Sequence, residues 1–378
     1  MVSAEWASAL LAGIAVAAAV VGGLVVWAGT RSDRFRAVVL FATALTFCLV
    51  VVGAYVRLSD AGLGCPDWPG CYGHPQVAAA LPGDPAVLTA AQAAKGWKEM
   101  AHRYLASMVG LLILTIAIIA VRARRALAQS PALAIAVVAA VILQAALGRW
   151  SVTLLLKPAI VSLHLAVGMT TLALLVWLSL RQLNASRRPL PPIAPWWRPA
   201  AAVALVLVGA QMLLGGWVSS NYAALACPDL PLCRGAWLPP MDISNAFHIV
   251  RDLGRTSDGG WLSLDALTAI HWVHRVGAAL VVIYCSIFAA VLLRQGASAP
   301  LGLALLVAVW GQAAVGIANV VLGLPLPLAA THNAGAAALL TVVVVINFLL
   351  ATAARATTAS RVVPRTAGLG SPGEARGS

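Results

Sequence analysis

Apolar runs about 20 residues long recur along this chain, and they limit its fold more than any other feature. A helix of that length rises roughly 30 Å, the thickness of a bilayer's hydrocarbon core. In lipid such a segment closes all its backbone hydrogen bonds within itself. Hydrophobic residues fill 61% of the 378 positions and charged residues only 10%, too little polar surface to coat a water-soluble domain. Nine spans are expected, at about 6–28, 37–57, 101–121, 132–153, 160–180, 200–218, 269–293, 299–321 and 328–352. The fold class is an all-α integral membrane protein.

The net charge of 25 − 12 = +13 does not point to nucleic acid, because the basic residues alternate between connections. Segments 29–36, 122–131, 181–199, 294–298 and 353–378 hold fifteen Lys/Arg, Arg34, Arg36, Arg122, Arg124, Arg125, Arg187 and Arg188 among them. The opposite set holds six Lys/Arg and ten of the twelve acids. Placing the basic set in the cytoplasm fixes the orientation. Span 6–28 is preceded by Glu5 and by no basic residue, which favours an extra N-terminal helix starting outside over a signal peptide; an over-extended gene start is the alternative.

Two cysteine pairs, Cys65/Cys71 and Cys227/Cys233, fall in loops assigned outside. Cys-x5-Cys on an oxidising side suits a disulfide; a zinc or cluster site is the alternative, though no second Cys/His pair sits beside either one. Cys48 and Cys285 lie within spans and read as packing residues.

The chain carries an internal duplication. A shift of 162 places Gly53, Val56, Cys65, Pro66, Asp67, Pro69, Cys71 and Gly73 on Gly215, Val218, Cys227, Pro228, Asp229, Pro231, Cys233 and Gly235. A shift of 172 places His102-Arg103 on His274-Arg275, and one of 168 places Gln144, Gly148 and His164 on Gln312, Gly316 and His332. Each copy has four spans, so the copies point the same way, as a parallel repeat about an axis along the membrane normal. The expected organisation is an extra helix and cytoplasmic loop over 1–36, a four-helix half over 37–181 and a cytoplasmic linker over 182–199. A second four-helix half follows over 200–353, then a disordered cytoplasmic tail over 354–378.

Four of the seven histidines, His102, His164, His274 and His332, occupy equivalent repeat positions on the second and fourth helix of each half. Each sits four to six residues into its span, roughly 6–9 Å below the outer surface. Ionisable groups inside membranes are expensive and mark function. Paired imidazoles inside a four-helix bundle suit the two axial positions of a heme, whereas zinc or copper would want further donors at that depth. Arg103 and Arg275 follow a proposed ligand in each half, where they pair with heme propionates or snorkel to the outer surface. His74 and His248 lie in outer loops without repeat partners.

One position breaks the repeat. Glu99 and His271 each stand one turn outside the first histidine of their half, a carboxylate in one copy and an imidazole in the other. Glu99 suits proton transfer or stabilisation of positive charge at a heme edge, an ordinary outer-surface Glu being the plain alternative, and His271 suits a hydrogen bond to a propionate. The asymmetry suggests that one half reacts while the other holds a permanent cofactor.

At these residues the sequence resembles the heme A synthase family. The stretch Gly53-Ala-Tyr-Val-Arg-Leu-Ser-Asp-Ala-Gly-Leu-Gly-Cys65-Pro-Asp-Trp-Pro-Gly-Cys71-Tyr-Gly73 is similar to that family's first outer loop in its cysteine-bearing bacterial form. Glu99-Met-Ala-His102-Arg103 resembles its catalytic Glu-x-x-His-Arg segment and His271-Trp-Val-His274-Arg275 the second-half counterpart, over about residues 37–352. Span 6–28 departs from that family's eight-helix pattern. The resemblance implies oxidation of the C8 methyl of heme O to a formyl group, giving heme A for cytochrome oxidase, by two hydroxylations and loss of water. It implies that His102 and His164 flank the substrate heme with Glu99 near the reacting methyl, that His274 and His332 ligate heme b, and that Cys65/Cys71 is the family's first-loop disulfide. It further implies a bacterial inner membrane with heme sites near the periplasmic face, and as partners an electron donor, a heme O-making farnesyltransferase and cytochrome oxidase assembly factors. A homo-oligomer is left open.

The competing reading is a di-heme b-type electron carrier linked to quinol, which would place hemes near both faces and leaves Glu99 unexplained. A transporter would need broken helices and midplane charge, yet apart from Arg149 near an outer end the span cores lack both.

Overall fold

The computed structural model describes residues 31–73, 89–183 and 194–362. The expected span 6–28, His74 and residues 363–378 lie outside the described residues. Among those described the regular structure is helical, with eight helices long and apolar enough to cross a membrane. They are α1 (Arg31–Leu58), α2 (Ala90–Arg122), α3 (Ala132–Thr153), α4 (Pro158–Gln182), α5 (Trp197–Ser220), α6 (Leu264–Leu293), α7 (Ala299–Val321) and α8 (Leu326–Val362).

Several boundaries differ from the hydropathy reading; α1, for one, starts at Arg31 rather than 37. Helix α2 starts at Ala90 rather than 101, because Thr89 and Gln92 form a reciprocal cap: the Gln92 amide donates to Thr89 Oγ1 at 3.2 Å and the Thr89 amide to Gln92 Oε1 at 2.9 Å. Helix α6 starts at Leu264 rather than 269, where Ser263 Oγ accepts the Ala266 amide at 3.1 Å. Both added segments are polar helix that an apolar window leaves out. At the other end, α8 continues to Val362, into the tail expected to be disordered from 354, because Ala-rich sequence such as Ala353-Ala-Arg-Ala favours helix without needing to be apolar.

The duplication is visible in the way helices end. Ala61 donates to Val56 O and Ala223 to Val218 O, both at 3.0 Å, closing α1 and α5 with the same six-residue ring around left-handed Asp60 and Tyr222. Leu156 donates to Ser151 O at 2.9 Å and Leu324 to Asn319 O at 2.7 Å, ending α3 and α7 alike. The helix that follows carries a proline in its first turn, Pro158 in α4 and Pro327 in α8.

Within the first half α1 packs on α2 and α4, and α3 on α2 and α4; the second half repeats this ring with α5 to α8. Between halves α4 meets α5, α1 meets α8, and α4 meets α8. The first two contacts exchange under the repeat, which places the α4–α8 contact on the pseudo-twofold axis. Met169, Leu172 and Val176 of α4 bury themselves there with Ala337, Leu340 and Val344 of α8. Near the outer end Gly216 lets α5 approach α4, since a Cβ there would stand 3.1 Å from Leu165. Leu111, Ile142, Val206 and Val307, each more than 60% exposed, face away from both bundles, as lipid-facing positions do.

Candidate functional site

The two outer loops have one construction. Disulfides join Cys65 to Cys71 and Cys227 to Cys233. The Asp67 carboxylate accepts the amides of Tyr72 at 2.6 Å and Gly73 at 2.8 Å; Asp229 accepts those of Arg234 and Gly235 at the same two distances. Consecutive left-handed residues, Tyr72-Gly73 and Arg234-Gly235, turn both amides towards one carboxylate. The Gly235 and Arg234 amides hold the Asp229 carboxyl below its usual range. Gly64 is required by proximity, because a Cβ there would lie 2.5 Å from the Lys95 backbone.

Beneath each loop stands an arginine from the helix that carries the first histidine. Arg103 Nη1 donates to the carbonyls of Asp67 (3.0 Å), Pro69 (3.2 Å) and Gly70 (2.5 Å). Arg275 donates to those of Asp229 (2.8 Å) and Leu232 (2.9 Å) through Nη1 and of Cys227 (2.5 Å) through Nη2. The expectation of snorkelling is corrected: both guanidinium groups are turned onto the disulfide loops, because carbonyls concentrated by the tight turns satisfy their fixed fork of donors.

Glu99 and His271 fill the same place between loop and arginine. Glu99 is 4% exposed; its Oε2 accepts the Cys65 amide at 2.9 Å and its Oε1 the Arg103 Nη2 at 2.5 Å. The plain surface reading of Glu99 is therefore overturned. His271, also 4% exposed, accepts the Cys227 amide on Nδ1 at 3.2 Å, and Arg275 Nε lies 3.3 Å from Nε2. A neutral imidazole accepts on only one nitrogen, so the carboxylate satisfies both donors where the imidazole satisfies one. At this place the halves differ by a buried carboxylate in one and a buried imidazole in the other.

The four expected histidines stand on alternate helices, His102 on α2, His164 on α4, His274 on α6 and His332 on α8. Because α2 and α6 begin early, His102 lies twelve residues after Ala90 and His274 ten after Leu264, while His164 and His332 lie six into theirs. Each ring is seated on a glycine of the preceding helix. A Cβ at Gly53 would stand 2.9 Å from His102 Cε1, at Gly148 3.2 Å from His164, at Gly215 3.2 Å from His274 and at Gly316 3.0 Å from His332. In each ring of four helices the two histidine-bearing helices, α2 and α4 or α6 and α8, stand on opposite corners rather than packing on each other. The Nδ1 atoms of His102, His164 and His332 are buried without a protein partner. Among the described residues no group of three or more His, Cys, Asp or Glu is placed to hold a bare metal ion. Two neutral imidazoles facing each other across a bundle can supply two axial donors and little else.

The sequence reading did not give a role to Gln144, Gln211 and Gln312. Their Nε2 atoms lie 3.3 Å from His164 Nε2, 3.0 Å from His274 Nδ1 and 3.3 Å from His332 Nε2. The signal was present as Gln-x-x-x-Gly one turn before each seat on α3, α5 and α7. His248 is exposed in its loop. Cys285 is buried in the core of the second half, but Cys48 is exposed on α1, so the packing role expected of both holds for Cys285 alone.

A family model described as cytochrome oxidase assembly protein matches residues 36–344, a range that takes in both halves. A protein named heme A synthase from Shewanella oneidensis is 39% identical over 331 residues, which covers 82% of this chain and 96% of that protein. One of the same name from Caulobacter vibrioides is 29% identical over 347 residues, covering 82% and 95%. Another, from Halalkalibacterium halodurans, is 27% identical over 247 residues, covering 64% and 77%.

Proposed function

The chain belongs to the heme A synthase family of cytochrome oxidase assembly proteins, and from that premise we propose that it oxidises the C8 methyl group of heme O to a formyl group. Written with water as the oxygen source, conversion of a methyl to an aldehyde releases four protons and passes four electrons to an external acceptor; written with dioxygen, each hydroxylation draws two electrons and two protons and needs the external electron donor that the family resemblance implies. Two hydroxylations followed by loss of water satisfy that balance.

The observation that carries the assignment of roles is the exchange of Glu99 for His271 between halves whose loops share a disulfide, an Asp that accepts two consecutive amides and an arginine held by loop carbonyls. The first half holds the substrate, heme O, between His102 and His164. Glu99, three residues before His102 on the same helix, stands at the outer end of that site and holds negative charge against developing positive charge or receives a released proton. Water-excluding burial makes that charge count for more than it would at a surface.

In the second half His274 and His332 would hold heme b. The donor set fits it: two imidazoles on facing helices, each seated on a glycine, with the His332 Nδ1 left without a protein partner. Bound there, heme b supplies one-electron transfer. His271 holds the Cys227 loop without adding a charge to this site. Arg103 and Arg275 fix the loops above the two sites, and contact with heme propionates is available to them only on the side that the loop carbonyls leave open.

The disulfides lie on the same side as the histidine pairs, which supports a periplasmic face of a bacterial inner membrane, with the basic connections in the cytoplasm. The enzyme that makes heme O and the factors that receive heme A are the expected partners, together with the electron partner.

The test is to express the chain in a bacterium that makes heme O and identify the hemes of the purified protein by chromatography and pyridine hemochrome spectra. Heme B together with heme O, heme A or a hydroxylated heme is the expected result. Heme B alone, at about two per chain, would replace this reading with the electron carrier.

A further inference from the structure

The loop that leads from the second disulfide to α6 holds a basic cavity that no part of the proposed chemistry uses. The cavity measures about 300 Å³, and Lys157, Arg251, Asp252, Arg255, Thr256 and Ser257 line it. Lys157 comes from the first half, where it precedes α4, and the others come from the second, so the cavity bridges the two halves. Three cations stand against one acid there. Asp252 pairs with Lys157 at 3.0 Å, and among the described residues neither Arg251 nor Arg255 has a carboxylate partner.

Arg251 is 5% exposed, and a buried cation without a counter-charge is costly. Its Nε donates to the His248 carbonyl at 3.1 Å, its Nη1 to the Arg255 carbonyl at 3.3 Å and its Nη2 to Asn221 Oδ1 at 2.6 Å. The guanidinium carbon also lies 5.5 Å from the centre of the Trp217 ring. These neutral partners take three of its five N–H groups and leave its charge uncompensated. Arg255 rests 3.7 Å from the centre of the Trp261 ring and donates to the Gly259 carbonyl at 3.3 Å. The hairpin that carries it is closed by the Thr256 amide on Gly260 O and the Leu262 amide on Gly254 O, both at 2.9 Å. Both arginines are thus held in place by the protein alone.

We propose that this cavity seats the phosphate of an anionic phospholipid, on the membrane surface that carries the disulfide loops. Lys157 directly precedes Pro158, the first residue of an apolar span, which sets the cavity at the level of head groups. Its apolar rim has no protein cover: Val250 is 82% exposed, and Ile249, Leu155 and the Trp261 beneath Arg255 are exposed as well. Tryptophan and aliphatic side chains left open beside fixed cations suit the boundary between head groups and chains. The open N–H groups of two arginines match the oxygens of a phosphate. Three cations against one acid leave two positive charges, which favours an anionic head group over a zwitterionic one. Inorganic phosphate offers the same oxygens but gains nothing from the apolar rim. The site stands whether or not the histidines bind heme.

The test titrates the full chain, purified in neutral detergent, with dioleoylphosphatidylglycerol, dioleoylphosphatidylcholine or sodium phosphate. Bound lipid is read by native mass spectrometry and stabilisation by the thermal unfolding midpoint. Phosphatidylglycerol should bind and raise the midpoint, whereas phosphatidylcholine and sodium phosphate should do neither. Lys157→Gln combined with Arg255→Gln removes two charges from partly exposed side chains and should weaken binding of the first phosphatidylglycerol about 30-fold. Ser257→Asp, at an exposed position, adds a negative charge to the cavity and decides the matter should the double variant not fold, with a loss of about fivefold expected. Unchanged phosphatidylglycerol binding in the folded variant would overturn the proposal, as would equal binding of phosphatidylcholine by wild type. Sodium phosphate that displaces the lipid, or raises the midpoint as far, would overturn the lipid assignment in favour of a free anion.

Discussion

Replacing Glu99 by histidine gives the first half the residue that the second half already carries at that place, and so separates the carboxylate's chemistry from its structural work. In Glu99→Ala the Cys65 amide loses its buried acceptor, a cost of about 1–3 kcal/mol. The half-buried Arg103 also loses its ion-pair partner but keeps three loop carbonyls, so the low end of the usual penalty for breaking a buried pair applies, about 3 kcal/mol. Roughly 4–6 kcal/mol in all would loosen the loop and confound any activity measurement. In Glu99→His an imidazole accepts the Cys65 amide as His271 accepts that of Cys227, so only the pairing with Arg103 is lost. Thermal unfolding in detergent should rank wild type, Glu99→His and Glu99→Ala in that order. Heme extraction should show that Glu99→His binds heme while accumulating heme O or a hydroxylated intermediate in place of heme A. Wild-type heme A yield from Glu99→His would remove the carboxylate from the chemistry, and a variant no more stable than Glu99→Ala would refute the equivalence of the two positions.

His274→Ala should abolish one b-type absorbance while leaving the first-half heme in place; an unchanged spectrum sinks that ligand assignment. Gly53→Val should displace His102 from its seat, since even a Cβ would come within 2.9 Å of the ring, and should lower first-half heme occupancy without altering the heme B spectrum. Replacing Cys227 and Cys233 by serine should lower stability by about 2 kcal/mol, the loop-closure entropy of so short a loop, and an unaltered unfolding midpoint would contradict this. The Lys95 ammonium beside Asp60 holds that carboxyl below its usual range, and Tyr222 and Arg57 from the same cluster act in the same direction. Its folded pKa being depressed, the small stabilisation is full above the unfolded value and fades as pH falls through the folded one, below about pH 4. Comparing unfolding midpoints at pH 6 and pH 3 should therefore show a weaker acid loss in Asp60→Asn, and equal losses would dismiss the cluster as a contributor.

Much of this architecture could be read without coordinates because membrane spans and duplications leave long-range periodic marks. The lengths of the apolar runs gave the spans from residue 37 onward, and the shared offsets gave the two halves. The cysteine pairs were legible because they lie close in sequence. Arg103 and Arg275 were not, because their partners are backbone carbonyls some thirty to fifty residues away, and carbonyls leave no trace in side-chain patterns. The starts of α2 and α6 escaped because Thr89 and Ser263 cap polar turns that an apolar window discards. The histidine seats escaped for another reason: a glycine that makes room, such as Gly53 or Gly316, looks the same in sequence as a glycine of no consequence until the ring it faces is placed.

His164 and His332 stand on α4 and α8, the two helices that meet on the pseudo-twofold axis. The wall between the halves is there a single helix pair, about 8–10 Å between axes, filled by Met169, Leu172, Val176, Ala337, Leu340 and Val344. None of those side chains takes up or gives up a proton. On the function proposed above, such a wall would leave an electron able to pass between the halves while offering no proton relay along the same line. Glu99 and the outer loop would then be the route for protons from the first half, so that the two products of an oxidation would part company at the site.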